Sequence, residues 1–242
     1  MVEISSNTVL QSRREEIELQ TADGLTLYGE LALPLDREPR ATLVTLHPLP
    51  TAGGFMESHI LRKAANRLPE LADIAVLRFN TRGTSSPRGT SEGAFGDGVS
   101  EEHDVAAAMA FVADRALPNP WLLGWSFGTE LALKYGLAHP IEGAILLSPP
   151  LHRATAEDVE AWQHAKPELV ALIPEFDDYL RPGEAAERFA SVPRMTLVPV
   201  EGGRHLWVGE KQTRRVLDEI VTAVGTAAAP LPTVVDEERL QR

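Results

Sequence analysis

Gly124-Trp125-Ser126-Phe127-Gly128 is the stretch of this chain whose residue types could do chemistry together. A serine hydroxyl is a poor nucleophile unless it is exposed beside a base, and a tight strand-to-helix turn provides that exposure. Flanking glycines let the backbone turn sharply and let the helix pack closely on the neighbouring strands. The context agrees, because Leu122-Leu123 reads as strand and Thr129-Glu130-Leu131-Ala132-Leu133 as helix. The plain alternative is a glycine turn with an idle serine.

A nucleophilic serine needs a histidine base, and the base needs a carboxylate to orient it. On a strand–helix topology the chain order is serine, acid, histidine. Four histidines follow Ser126: His139, His152, His164 and His205. Only His205 comes after a late strand, in the loop Glu201-Gly202-Gly203-Arg204-His205, and such loops sit where open α/β sheets bind ligands. His139 ends a helix, where the dipole favours it. His152 and His164 fall in or near a surface helix, with His152 close enough to the cleft to line it. The acid belongs at the end of the preceding strand, where Glu175, Asp177 and Asp178 are the three carboxylates on offer.

Acyl chemistry also needs donors for an oxyanion. The Phe127 N–H follows the nucleophile directly, and the second donor should come from the loop His47-Pro48-Leu49-Pro50. Prolines carry no N–H, so Leu49 is the donor at that point. Each such donor typically matters by about 10²–10³ in turnover. His47 reads as a brace for the loop, and Trp125, Phe127 and Trp207 as core residues. Glu101-Glu102-His103-Asp104 reads as a solvated first helical turn. No metal-ligating spacing such as His-Glu-x-x-His appears, so neither metal nor cofactor is expected.

The elements that must position these residues follow from periodicity. Glu15–Gln20 and Leu25–Leu33 alternate around Asp23-Gly24, a hairpin signature. Unalternating apolar runs at 41–46, 74–79, 121–125, 144–147, 169–173 and 195–200 suit strands buried on both faces. Helical spacing falls between them, at 57–71, from an N-cap at Ser100 through Val112, at 129–138, 155–165, 184–189 and 211–224. About eight strands in all, with an N-terminal antiparallel hairpin, predict a mostly parallel, doubly wound α/β sheet. No linker divides the chain, so residues 1–225 read as one domain and 226–242 as a mobile tail.

Composition bounds the partners. The chain has 242 residues and a net charge of −12, which disfavours nucleic acid and anionic membrane surfaces. It has no cysteine, which removes disulfides, thiolate metal sites and cysteine nucleophiles. Without a secretion signal or a spanning apolar run, the expected location is the cytoplasm.

From Glu15 to Val224 the chain resembles the α/β-hydrolase superfamily. His47-Pro48-Leu49-Pro50, Gly53-Gly54, Leu77-Arg78-Phe79-Asn80-Thr81-Arg82-Gly83 and the acidic glycine-rich stretch from Gly93 to Asp104 are similar to one bacterial group within it. That group comprises compact, lidless predicted hydrolases with a His-Pro-His-Pro-x-x-Gly-Gly signature, and Leu49 stands here where the second histidine usually does. The resemblance implies an α/β-hydrolase fold. From Ser126 to Asp177 is 51 positions, which leaves no room for a large cap. The stretch from Pro174 to Pro182 is similar to the superfamily's acid turn, a register that selects Asp177, with Asp178 as the neighbouring alternative. The cleft walls are expected from 48–58, 84–98 and 149–167, with the glycine-rich 84–98 mobile at the mouth. The resulting expectation is a serine hydrolase of small carboxylic esters or thioesters, working through Ser126, His205 and Asp177. Peptidases, acyltransferases and perhydrolases share this machinery, and a non-catalytic ligand-binding or scaffold protein is the rival from another class.

Overall fold

The computed structural model describes residues 1–241. Its hairpin is β1 (Arg13–Gln20) and β2 (Thr26–Leu33), antiparallel with Leu19 opposite Leu27. Six strands follow: β3 (Ala41–Leu46), β4 (Ile74–Phe79), β5 (Pro120–Trp125), β6 (Gly143–Leu147), β7 (Glu168–Pro174) and β8 (Thr196–Val200). All eight form one sheet in the order β1-β2-β4-β3-β5-β6-β7-β8. Pairings among β3 to β8 are parallel, and β2 joins β4 antiparallel.

Six helices cover the sheet: α1 (His59–Ala72), α2 (Glu102–Asp114), α3 (Phe127–Tyr135), α4 (Ala156–Glu160), α5 (Pro182–Arg188) and α6 (Glu210–Val224). The lack of alternation in the central strands has its cause here, because successive residues bury into two different cores. Leu43, Val76 and Leu123 pack with α1 and α6, whereas Val44, Leu77 and Leu122 pack with α2, α3, α4 and α5.

Several boundaries differ from the sequence expectation, each for a local reason. The stretch 155–165 is helical only to Glu160, although Thr155 and Asp158 close a full capping box at its start. Beyond Glu160 the chain tightens into turns, in which the Trp162 and Gln163 N–H groups donate to the Val159 and Glu160 carbonyls three residues back. Ser100 does not cap α2. Instead the Glu101 carboxylate turns back and accepts from the Gly96 and Gly98 N–H groups at 2.7 and 2.9 Å. That bond, with Lys134 and Tyr135 donating to the Gly98 carbonyl, ties down the glycine-rich segment that composition alone makes look free.

One buried charge cluster also escaped the pattern reading. Glu30 on β2 is fully buried opposite Arg78 on β4 and accepts from Arg78, Arg14 and Arg88. Desolvation pushes its carboxyl up, but the three guanidiniums prevail and hold it below the ordinary glutamate value. Between residues 227 and 241 the chain comes back against its start. Val234–Val235 pairs antiparallel with Val2–Glu3, and Leu10 bridges to Leu240. No described helix is long and apolar enough to cross a membrane.

Candidate active site

β5 ends at Trp125 and α3 begins at Phe127, so Ser126 alone makes the turn between them. Its backbone sits at φ 52°, ψ −117°, a conformation a serine adopts only under constraint. The constraints are visible on both sides. The Ser126 N–H donates to the Leu147 carbonyl at 2.9 Å, and the Thr129 N–H and hydroxyl both donate to the Ser126 carbonyl. Glycines at 124 and 128 are required by contact. A Cβ on Gly128 would lie 2.0 Å from the Leu46 carbonyl oxygen, and one on Gly124 would lie 2.4 Å from the Gly128 carbonyl oxygen. The helix therefore sits directly on β3, and the serine projects beyond the strand ends.

The loop after β8 brings His205 to that serine. His205 Nε2 is 2.9 Å from Ser126 Oγ, and His205 Nδ1 is 3.0 Å from Asp177 Oδ2. These partners define the tautomer: Nδ1–H donates to the carboxylate and Nε2 accepts from the hydroxyl. Of the three carboxylates after β7, only Asp177 reaches the imidazole. Asp178 is exposed, and Glu175 instead accepts from the Gly202 N–H. Asp177 is 2% exposed and also accepts from the Tyr179 and Leu180 N–H groups at 2.8 and 3.1 Å. Burial pushes its carboxyl up; the hydrogen bonds from His205 and the two amides outweigh that and hold it below the usual aspartate value.

The histidine is fixed from behind as well. Trp125 Nε1 and Ser148 Oγ both donate to the His205 carbonyl, at 3.1 and 3.3 Å. Trp125 is in turn met edge-on by His59, whose Nε2 lies 3.1 Å from the Trp207 carbonyl. Trp125, Phe127 and Trp207 are buried as expected of core residues, and the first two also border the cleft.

The two candidate oxyanion donors border the same cleft. Neither the Leu49 nor the Phe127 N–H makes a hydrogen bond within the chain among the described residues. The loop carrying Leu49 is shaped by bonds to its own carbonyls: the Leu49 oxygen accepts from Ala52 and Gly54. His47 braces that loop. Its Nδ1 lies 2.7 Å from the Pro48 carbonyl, and its Nε2 accepts from the Thr81 N–H at 3.0 Å. Complete burial lowers the His47 pKa to about 4, against the opposing bond to Pro48, so the imidazole is neutral at pH 7.

The cleft holds about 180 Å³ and is walled by Pro48, Leu49 and Ala52 on one side and by Pro150, His152 and Arg153 on another. Tyr179 and Leu206 close it beside His205. The segment 84–98 does not line the cleft but backs its wall, through the Phe95 ring packed 5.4 Å from that of Phe127 and through Asp97, which accepts from Arg153 Nε. His139 and His164 lie away from the cleft. Sequence reading missed Glu130 and Arg153, since a charged residue on a helix or in a loop carries no mark of facing a site. Glu130 is fully buried and holds the Arg153 and Ala154 N–H groups.

No family model matches the chain, and no curated protein matches it. Solved structures do. A serine hydrolase without a lid from Xanthomonas campestris is 24% identical, with a TM-score of 0.73 over 95% of this chain and 100% of that one. A serine hydrolase homologue from Coxiella burnetii is 20% identical, with a TM-score of 0.72 over 91% of this chain and 99% of that one. An esterase from Pyrococcus furiosus is 19% identical, with a TM-score of 0.67 over 87% and 92%. The chain has the α/β-hydrolase fold without a cap domain, and at these identities the likeness concerns the fold.

Proposed function

We propose that this protein is a serine hydrolase of small carboxylic esters, with thioesters as the related extension. One observation carries the reading: a strained serine, an imidazole and a buried carboxylate lie in a hydrogen-bonded row at the carboxyl ends of the strands. The lidless hydrolase and the esterase among the similar structures support it. So does the similarity of the His47-to-Gly54 loop to the lidless bacterial group.

Ser126 Oγ attacks the ester carbonyl while His205 Nε2 takes its proton. Asp177 keeps the imidazole in the tautomer that can accept, and stabilises the imidazolium once formed. The carbonyl oxygen gains negative charge and is held by the Phe127 and Leu49 N–H groups. His205 then hands its proton to the departing alcohol oxygen, and an acyl-enzyme remains on Ser126. Water, deprotonated by the same imidazole, releases the acid and restores the serine. No metal or cofactor is required at any step.

The test is labelling with a fluorophosphonate together with turnover of 4-nitrophenyl butyrate. Wild type should react with both, and Ser126→Ala with neither. Inertness of the wild type to probe and esters alike would favour a ligand-binding or scaffold protein on this fold. Acyl transfer to amines or peroxide in place of water would move the reading to one of the sister activities.

A further inference from the structure

The course of the reaction divides the cleft into two sides. His205 must return its proton to the leaving oxygen, so the alcohol portion lies beside His205, against Tyr179 and Leu206. Those two side chains are 52% and 57% exposed, a broad apolar rim. Away from His205 the lining offers the acyl portion a wall of Pro48, Leu49 and Ala52 and a wall of Phe127, Glu130 and Arg153, and of these two only the second carries a side-chain donor.

Arg153 is held there from three directions. Its backbone N–H donates to the buried Glu130 carboxylate, and its Nε donates to Asp97 Oδ1 at 2.6 Å. Its guanidinium lies over the Phe127 ring at 5.5 Å and the Phe95 ring at 5.9 Å. Yet the terminal nitrogens are left over. Nη1 stands 3.6 Å from Glu130 Oε2, longer than a hydrogen bond, and neither Nη1 nor Nη2 makes one among the described residues. A long side chain normally loses much rotamer freedom when it is ordered. Here it is ordered within the cleft wall, 26% exposed, and its terminal nitrogens make no hydrogen bond, only the 3.6 Å ion pair from Nη1 to Glu130 Oε2.

Charge decides what that fork can take. Asp97 and Glu130 place two carboxylates around one guanidinium, so an anionic group at the acyl end would meet a local excess of negative charge. A neutral oxygen meets donors without that repulsion. We propose that Arg153 sets the acyl preference of this cleft, favouring esters whose acyl chain carries a neutral hydrogen-bond acceptor, such as an ether, keto or hydroxyl oxygen, over hydrocarbon chains of equal length. This rests on the ester-hydrolase reading and adds a substrate class to it.

The experiment compares kcat/KM across methyl esters of unbranched acyl chains from butanoate to octanoate. It includes their ether counterparts, with oxygen replacing in turn each methylene except the one beside the carbonyl, and the monomethyl dicarboxylates of matching length. For the wild type, the best-placed ether should exceed its hydrocarbon partner by about tenfold or more, the scale of one hydrogen bond to a charged donor. Arg153→Met keeps a stem of similar shape without the donors and should lower that ratio about tenfold or more, to the one the esters' intrinsic reactivities give. Comparing the same esters across proteins cancels their intrinsic reactivities. Fluorophosphonate labelling of Ser126 in each variant reports an assembled triad. Should the methionine variant fail to label, Arg153→Lys carries the comparison, with a ratio below that of wild type. Equal ratios in wild type and variant would overturn the proposal and leave the esterase reading intact. An Arg153-dependent preference for the dicarboxylate monoesters would also overturn it, by making this an anion site. Absence of Ser126-dependent turnover on every ester would remove the hydrolase reading and this proposal with it.

Discussion

Asp177 and Asp178 differ by one position in the chain and by everything that surrounds them. Asp177 is buried with one imidazole and two amides on its oxygens; Asp178 is exposed. Asp177→Asn should therefore lower kcat by about 10⁴-fold, because the amide favours the wrong imidazole tautomer. Asp178→Asn should stay within about twofold of wild type, the expectation for a surface change away from the reacting atoms. Steady-state kinetics on one activated ester checks both, and a large loss in the second variant alone would reassign the acid. His47 makes a prediction about pH. Its pKa is depressed to about 4 by burial, whereas in the unfolded chain it is about 6.5. The unfolded state thus binds the extra proton first, so this group's contribution is complete above the unfolded value and is lost as pH falls toward the folded one. Between pH 7 and pH 5 that amounts to roughly 2 kcal/mol from this residue. Urea unfolding of wild type and His47→Gln at the two pH values should show a smaller pH-dependent loss in the variant; equal losses would refute the neutral, buried imidazole. The three residues that the structure brings together were legible in the sequence because the proposed chemistry demands a particular type at a particular turn. Arg153 and Glu130 were not, because what matters about them is which way they face.

At the scale of elements, the β5–Ser126–α3 corner shows how packing holds a serine in a strained, projecting turn. The serine's positive φ costs on the order of 1–3 kcal/mol, and it persists because hydrogen bonds to Leu147 and Thr129 over-determine the turn. Gly128 lets α3 approach β3 closely enough to maintain it. Gly128→Ala would push a methyl against the Leu46 carbonyl, a backbone atom that cannot rotate away. The expected outcome is a destabilisation of about 1–3 kcal/mol. A loss of turnover should accompany it, because the displaced helix carries the Phe127 N–H. Gly183 in α5 is the control, since nothing lies within 4 Å of a Cβ placed there and its φ is not positive. Gly183→Ala should stabilise by up to about 1 kcal/mol through helix propensity and leave kinetics unaltered. Thermal melts with parallel assays distinguish the two, and a Gly128→Ala protein with wild-type Tm and turnover would contradict the contact argument. The strands were readable because burial on two faces writes an unbroken apolar run. The helix ends were less so, because α4 gives way to tighter turns after Glu160 and α2 starts from a carboxylate serving a loop, both matters of local competition for hydrogen bonds.

For the whole molecule, the edge with the candidate site and the terminal segments occupy different parts of the structure. The cleft gathers loops at the carboxyl ends of β3, β5, β6, β7 and β8. The segment after Thr226 instead packs on the start of the chain and on the far half of α1, where Arg239 donates to Glu70 and Ile4, Leu10 and Val235 form a small separate core. Composition could not announce this. An alanine- and proline-rich run followed by charges resembles a solvated tail, and the few apolar residues that anchor it, Val235 and Leu240, show no period. The small core predicts that stability and activity separate. Val235 is 3% exposed, so Val235→Asp buries a charge without a partner and should cost about 2–4 kcal/mol. For a chain of this size that corresponds to a fall in Tm of roughly 5–15 °C. Because Ser126, Asp177 and His205 are joined to one another and to Trp125 and Ser148, none of which touches this region, kcat/KM measured well below the new Tm should remain within about twofold of wild type. Differential scanning calorimetry and ester kinetics on the same preparation decide it. A parallel drop in kcat/KM would mean that the terminal segment helps to shape the cleft, through α1 and the His59 contact to the Trp207 carbonyl.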